Sequence, residues 1–140
     1  MDGCFDSYES VLAATGTIII SPVGVSMLPF LKEGRDTVRL VLPQRPPQKY
    51  DIVLYRASDG GYVLHRIIGF DGGKYIICGD NCRAWEIGHT RSDIIAVVDQ
   101  IYRNDKPEDP HRFKYRIYER LWCSSWIKRI FMKLRSIFIK

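Results

Sequence analysis

The sequence predicts a mainly β fold, antiparallel and barrel-like, followed by a C-terminal amphipathic α-helix. Three observations predict it. Short apolar runs recur at a spacing of roughly ten residues between Gly-rich turns, as in antiparallel β folds that curl or close. Residues 111–139 switch to helical spacing, with Phe113, Ile117, Leu121, Trp126, Ile130, Leu134, Ile137 and Phe138 recurring mostly three to five apart. The chain has 140 residues, 46% apolar and 26% charged, enough for one domain with a sizeable core.

The elements follow in order. Residues 5–14 suit a short helix ended by Gly16, and Thr17–Ile20 is a β-branched run that reads as a strand. Ser21-Pro22-Val23-Gly24 breaks that run, and Lys32 to Asp36 is a second turn. Residues 38–42 and 51–55 are strands, separated by a loop that holds three prolines between Pro43 and Lys49. Ser58-Asp59-Gly60-Gly61 and Asp71-Gly72-Gly73 are hairpin turns on either side of a fourth strand, residues 62–69. Residues 75–78 and 94–102 complete the set, and residues 105–110 read as a polar linker. The expected organisation is a β domain over 1–104, a linker over 105–111 and a basic amphipathic helix over 112–140.

Charge is divided unevenly. Residues 1–110 carry 12 Lys/Arg against 15 Asp/Glu, whereas residues 111–140 carry 9 against 1. The net charge of +5 therefore belongs to the tail, which argues against nucleic acid as a partner of the β domain. Five charges in residues 121–140 forbid a bilayer span, but aromatics interleaved with lysine and arginine suit an anionic membrane surface. The competing expectation is that this helix docks its apolar stripe on its own β domain. An acidic N-terminus without a basic, apolar leader predicts a cytoplasmic protein, with the tail attaching it peripherally to membrane. The four cysteines, Cys4, Cys78, Cys82 and Cys123, are then expected as free thiols, and no metal or other cofactor is expected.

Two segments carry the chemistry. Gly24-Val25-Ser26-Met27-Leu28-Pro29 offers a serine on a turn, and Val63-Leu64-His65-Arg66-Ile67-Ile68-Gly69 lies 39 positions downstream. Serine needs a base to act as a nucleophile near neutral pH, and histidine has a suitable unperturbed pKa. Strand alternation puts Val63, His65 and Ile67 on one face, and Leu64, Arg66 and Ile68 on the other. Each residue alone is more simply read as a turn serine and a core histidine. Gly79-Asp80-Asn81 could orient the histidine through its carboxylate, as could Glu86. His89 and His111 read as surface residues.

Together these segments resemble the type I signal peptidase family and its LexA-like relatives. The nucleophile box is matched by Gly24 to Pro29. Gly34-Arg35-Asp36-Thr37-Val38 and Asp51-Ile52-Val53 match the next two elements, with Tyr50 in place of the glycine that often precedes the second. His65-Arg66-Ile67-Ile68-Gly69 matches the base box, and Gly79-Asp80-Asn81 the last. Histidine at the base position is similar to the endoplasmic-reticulum and archaeal branch. The membrane anchor of signal peptidases and the DNA-binding domain of LexA-type repressors have no counterpart before residue 24.

The resemblance implies a LexA/signal-peptidase-type β fold and a serine endopeptidase acting on a peptide or protein substrate. Ser26 is then the nucleophile and His65 the base, with Asp80 or Glu86 as third partner. The Ser26 backbone N–H is the oxyanion donor, and Gly24, Met27 and Pro29 lie against substrate. Two other readings remain: a catalytically inactive, membrane-tethered peptide-binding relative, and a LexA-like self-cleaving protein.

Overall fold

The computed structural model describes residues 7–123, 128, 130, 133–135 and 137. It divides into two compact units, residues 1–110 and residues 111–140. The first unit holds a helix, α1 (Tyr8–Thr15), and eight strands: β1 (Thr17–Ile20), β2 (Asp36–Val41), β3 (Ile52–Arg56), β4 (Tyr62–Asp71), β5 (Lys74–Cys78), β6 (Glu86–His89), β7 (Ile94–Arg103) and β8 (Lys106–Glu108).

α1 starts where the Ser7 hydroxyl accepts the Ser10 N–H at 3.1 Å. It stops at Gly16, whose φ of 78° suits a residue without Cβ. Leu12 is its fully buried anchor.

The sheet order is β1-β2-β7-β3-β4-β5-β6, with β8 also on β7 and every pairing antiparallel. The expected barrel does not close. β1 and β6 are the outer strands of the described sheet, each four residues long. Bulges interrupt the register at Arg39/Leu40, Leu54/Tyr55, Ile67/Gly69 and Tyr75/Ile76. Such irregularities bend strands and increase local twist.

β6 and β8 were not expected. β8 lies inside the anticipated linker and folds back on β7 through Asn104 and Asp105, both at positive φ. Consequently the β unit runs to Pro110.

The core relevant to the site is Val53, Tyr55, Ile67, Tyr75, Ile77 and Ile94. Alternation brings the first five of these side chains to one face of β3, β4 and β5, and Ile94 joins them from the start of β7. His65 lies on that face, between Val63 and Ile67.

In the second unit, α2 (Phe113–Tyr118) leads into a π-helical turn, Glu119–Cys123. Residues 128, 130, 133–135 and 137 are also helical, and the expected stripe residues Trp126 and Phe138 lie outside the described residues. Phe113, Ile117, Leu121, Ile130, Leu134 and Ile137 are exposed. Among the described residues no helix is long and apolar enough to cross a membrane.

Candidate active site

Ser26 lies in the loop between β1 and β2. Gly24 turns that loop with a φ of 86°, and its N–H donates to the Glu33 carboxylate at 2.8 Å. Met27, Phe30 and Leu31 drop into the core. Met27, at 4% exposure, is thus a core anchor and does not offer the substrate surface expected of it; Gly24 and Pro29 are exposed.

The far end of the loop is held by charge. The Asp36 carboxylate accepts the Lys32 N–H at 2.9 Å and pairs with Arg35 and Arg103. Burial alone would raise the Asp36 pKa. Donation from Arg35 and Lys32 and the charge of Arg103 outweigh it and hold the carboxyl below the usual range.

The Gly79-Asp80-Asn81 segment fastens the serine from the other side. The Asn81 N–H donates to the Ser26 carbonyl at 2.9 Å, and the Asn81 side chain donates to the Val25 carbonyl at 3.0 Å. Gly79 sits where no side chain fits. A Cβ there would meet the Ser26 carbonyl oxygen at 2.6 Å, Cys82 Sγ at 2.7 Å and His65 Nε2 at 2.9 Å. The serine segment, the thiol and the Nε2 edge of the imidazole therefore converge on one glycine.

Asp80 is directed elsewhere. Its carboxylate takes two bonds from the Arg66 guanidinium, both 2.9 Å, and each side chain is only 1% exposed. Arg66 also donates to the Tyr50 carbonyl at 3.1 Å and lies 4.7 Å from the Phe30 ring centre. Because Arg66 and His65 are successive strand residues, they point to opposite faces. Asp80 serves the Arg66 face, which makes it a structural partner and not the orienting acid of the histidine.

Glu86 is on the histidine face. The register places Ile67 opposite Ile77 and Ile77 opposite Glu86. Glu86 Oε2 lies 3.7 Å from His65 Nδ1. Between them stands Tyr55, whose hydroxyl oxygen is 3.2 Å from Nδ1 and donates to Glu86 Oε2. Tyr55 pairs with Val63 across the β3–β4 ladder, which makes it the diagonal neighbour of His65. Burial, then the bond to Glu86 and that carboxylate's charge, push the Tyr55 phenol far above its ordinary pKa.

His89, expected on the surface, is only 14% exposed and packs edge-on against Tyr55 at 4.8 Å, with Nδ1 3.5 Å from Asp93 Oδ2. His111 is exposed.

The structure thus brings Ser26, His65 and Glu86 to one locality and separates Asp80 from them. Two members were missed from the sequence. Tyr55 shares the inward face with Val53, but nothing in a Val-Leu-Tyr run marks a tyrosine as more than core. Cys82 is placed by the turn after Gly79, which the Cys82 N–H closes on the Gly79 carbonyl at 2.9 Å.

Among the described residues the Ser26 hydroxyl and N–H have no hydrogen-bond partner. The Gly24 N–H, by contrast, is spent on Glu33. Cys78, Cys82 and Cys123 are free thiols, and Cys4 lies outside the described residues. Among the described residues no group of three His, Cys, Asp or Glu side chains could hold a metal.

Comparisons with protein-family models, with curated proteins and with solved structures each return no match.

Proposed function

We propose that this chain is a serine endopeptidase with a signal-peptidase-type β fold, cleaving an extended peptide by a Ser26–His65 mechanism. One observation carries the reading. The Ser26 main-chain carbonyl and the Nε2 edge of His65 both border Gly79, which puts the serine segment beside that edge, while the opposite nitrogen of the ring is turned toward Tyr55 and Glu86. A base with one nitrogen beside a serine segment and the other toward an orienting acid suits acyl transfer.

In this reading Ser26 Oγ attacks the scissile carbonyl and its proton passes to His65 Nε2. The carbonyl oxygen becomes an oxyanion beside the Ser26 N–H. Nε2 then returns the proton to the departing amine, and water repeats the sequence to release the acyl group. Catalytic hydrogen bonds commonly tighten only when substrate is bound, which accommodates a serine hydroxyl without a partner among the described residues. The oxyanion donor lowers the barrier by about 3–4 kcal/mol.

Apolar side chains flank the site. Val25 beside the serine and Trp85 and Ile87 around Glu86 are more than half exposed and suit an apolar segment of substrate. The tail supplies location: its surplus of Lys/Arg and its exposed apolar stripe suit an anionic lipid surface. Purified wild type should cleave a prepeptide that Ser26→Ala leaves intact. Equal cleavage by both would reject the mechanism.

A further inference from the structure

We infer that Tyr55 is a positioning residue that selects the tautomer of His65, placing the ring proton on Nδ1 and leaving Nε2 as the base. The inference deepens the peptidase reading and rests on it for its functional meaning.

The assignment follows from counting protons. A phenol has one hydrogen, and a carboxylate only accepts. The Tyr55 hydroxyl lies between the Glu86 carboxylate and His65 Nδ1, so its hydrogen goes to Glu86. Its oxygen then faces Nδ1 as an acceptor at 3.2 Å. Nδ1 must therefore carry the imidazole hydrogen. A neutral imidazole has only one, so Nε2 presents its lone pair toward Gly79 and the serine segment.

The direct path is too long to do this. Nδ1 and Glu86 Oε2 are 3.7 Å apart, beyond hydrogen-bond distance. Glu86 acts on the histidine by orienting the phenol and by its charge.

Tyr55 is fully buried, so its hydroxyl cannot turn to solvent for another partner. The raised phenol pKa keeps the hydrogen in place through the neutral range. The other groups around Tyr55 leave the arrangement intact. His89 meets the ring by its edge and is directed to Asp93, and the Cys78 and Cys82 thiols add to the environment that keeps the phenol neutral.

During attack one proton moves, from Ser26 Oγ to Nε2. The Nδ1–H and the Tyr55 hydrogen stay where they are. Tyr55 therefore touches neither substrate nor reacting atoms.

Nitrogen-15 NMR of the imidazoles tests this without turnover. In wild type at a pH where His65 is neutral, Nε2 should be the unprotonated nitrogen. Tyr55→Phe removes the acceptor and should shift the population toward the Nε2–H form. Glu86→Gln keeps an oxygen for the phenol to donate to, so it should keep the wild-type tautomer while lowering the His65 pKa. Tyr55→Phe should also lower kcat about tenfold with KM nearly unchanged, since acid–base catalysis depends on the fraction of base in the right form.

A wild-type spectrum with Nε2 protonated overturns the inference, whatever the variants do. An unchanged tautomer in folded Tyr55→Phe overturns it too. If the protein cleaves no peptide yet shows the expected tautomers, the peptidase reading fails and the positioning role of Tyr55 stands.

Discussion

Replacing Asp80 by alanine separates the two roles its position could serve. The Arg66 and Asp80 side chains are each 1% exposed and joined by two bonds of 2.9 Å. Removing the carboxylate leaves a guanidinium buried without its counter-charge, which costs about 3–5 kcal/mol. For a unit of this size each kcal/mol lowers Tm by about 3–5 °C, so Asp80→Ala should melt roughly 10–25 °C below wild type. Thermal unfolding followed by circular dichroism measures this. Glu86→Ala is the comparison: its side chain is 40% exposed, and the change should leave Tm within a few degrees while slowing catalysis. An Asp80→Ala protein that melts like wild type but loses activity would refute the structural assignment and return Asp80 to the catalytic group.

Other substitutions probe the same framework. Gly79→Ala must push aside the Ser26 carbonyl, which is fixed by the Asn81 N–H; it should cost about 1–3 kcal/mol and slow turnover roughly a hundredfold, a larger effect on rate than on Tm. Unchanged turnover would show that Gly79 does not set the distance between serine and histidine. Stability should fall as pH rises past about 10, because the unfolded chain then releases a tyrosine proton that folded Tyr55 keeps. Urea titrations at pH 8 and pH 11 should show a smaller loss for Tyr55→Phe than for wild type. The Tyr62 phenol, raised by its bond to Glu9, is common to both proteins and drops out of the comparison. Equal losses would mean that Tyr55 ionises freely. Deleting residues 112–140 should abolish co-sedimentation with anionic vesicles, and binding that persists would remove the tail from the membrane reading.

Six of the strands were legible because apolar β-branched runs between Gly and Pro turns leave few alternatives. β6 was not. Glu-Ile-Gly-His has one strong strand former and a glycine at φ 100°, and it is held by its register on β5 more than by propensity. β8 was hidden for a related reason. Its turn uses Asn104 and Asp105 at positive φ, a tight connection that can be made without the glycine that usually signals it.

Tyr50 illustrates the reverse. It stands where the related pattern often has glycine, and its φ is 77°, in the left-handed region. The tyrosine is held there by its N–H on the Ile67 carbonyl at 2.7 Å and its carbonyl on Arg66. A strain of about 1–2 kcal/mol is thus offset by contacts invisible in a linear pattern.

In the site, alternation already separated His65 from Arg66, but not which acid served which. That depended on the turn after Gly79 and on β6 returning Glu86 opposite Ile77. Tyr55 was unreadable because a diagonal neighbour is defined only by register.

The central claim is that His65 turns Ser26 into a nucleophile. Labelling by a serine-reactive probe measures that reactivity directly. Wild type should label covalently at Ser26, Ser26→Ala should not label, and folded His65→Ala should label far more slowly. Equal labelling of wild type and His65→Ala, or none of wild type, would contradict the account.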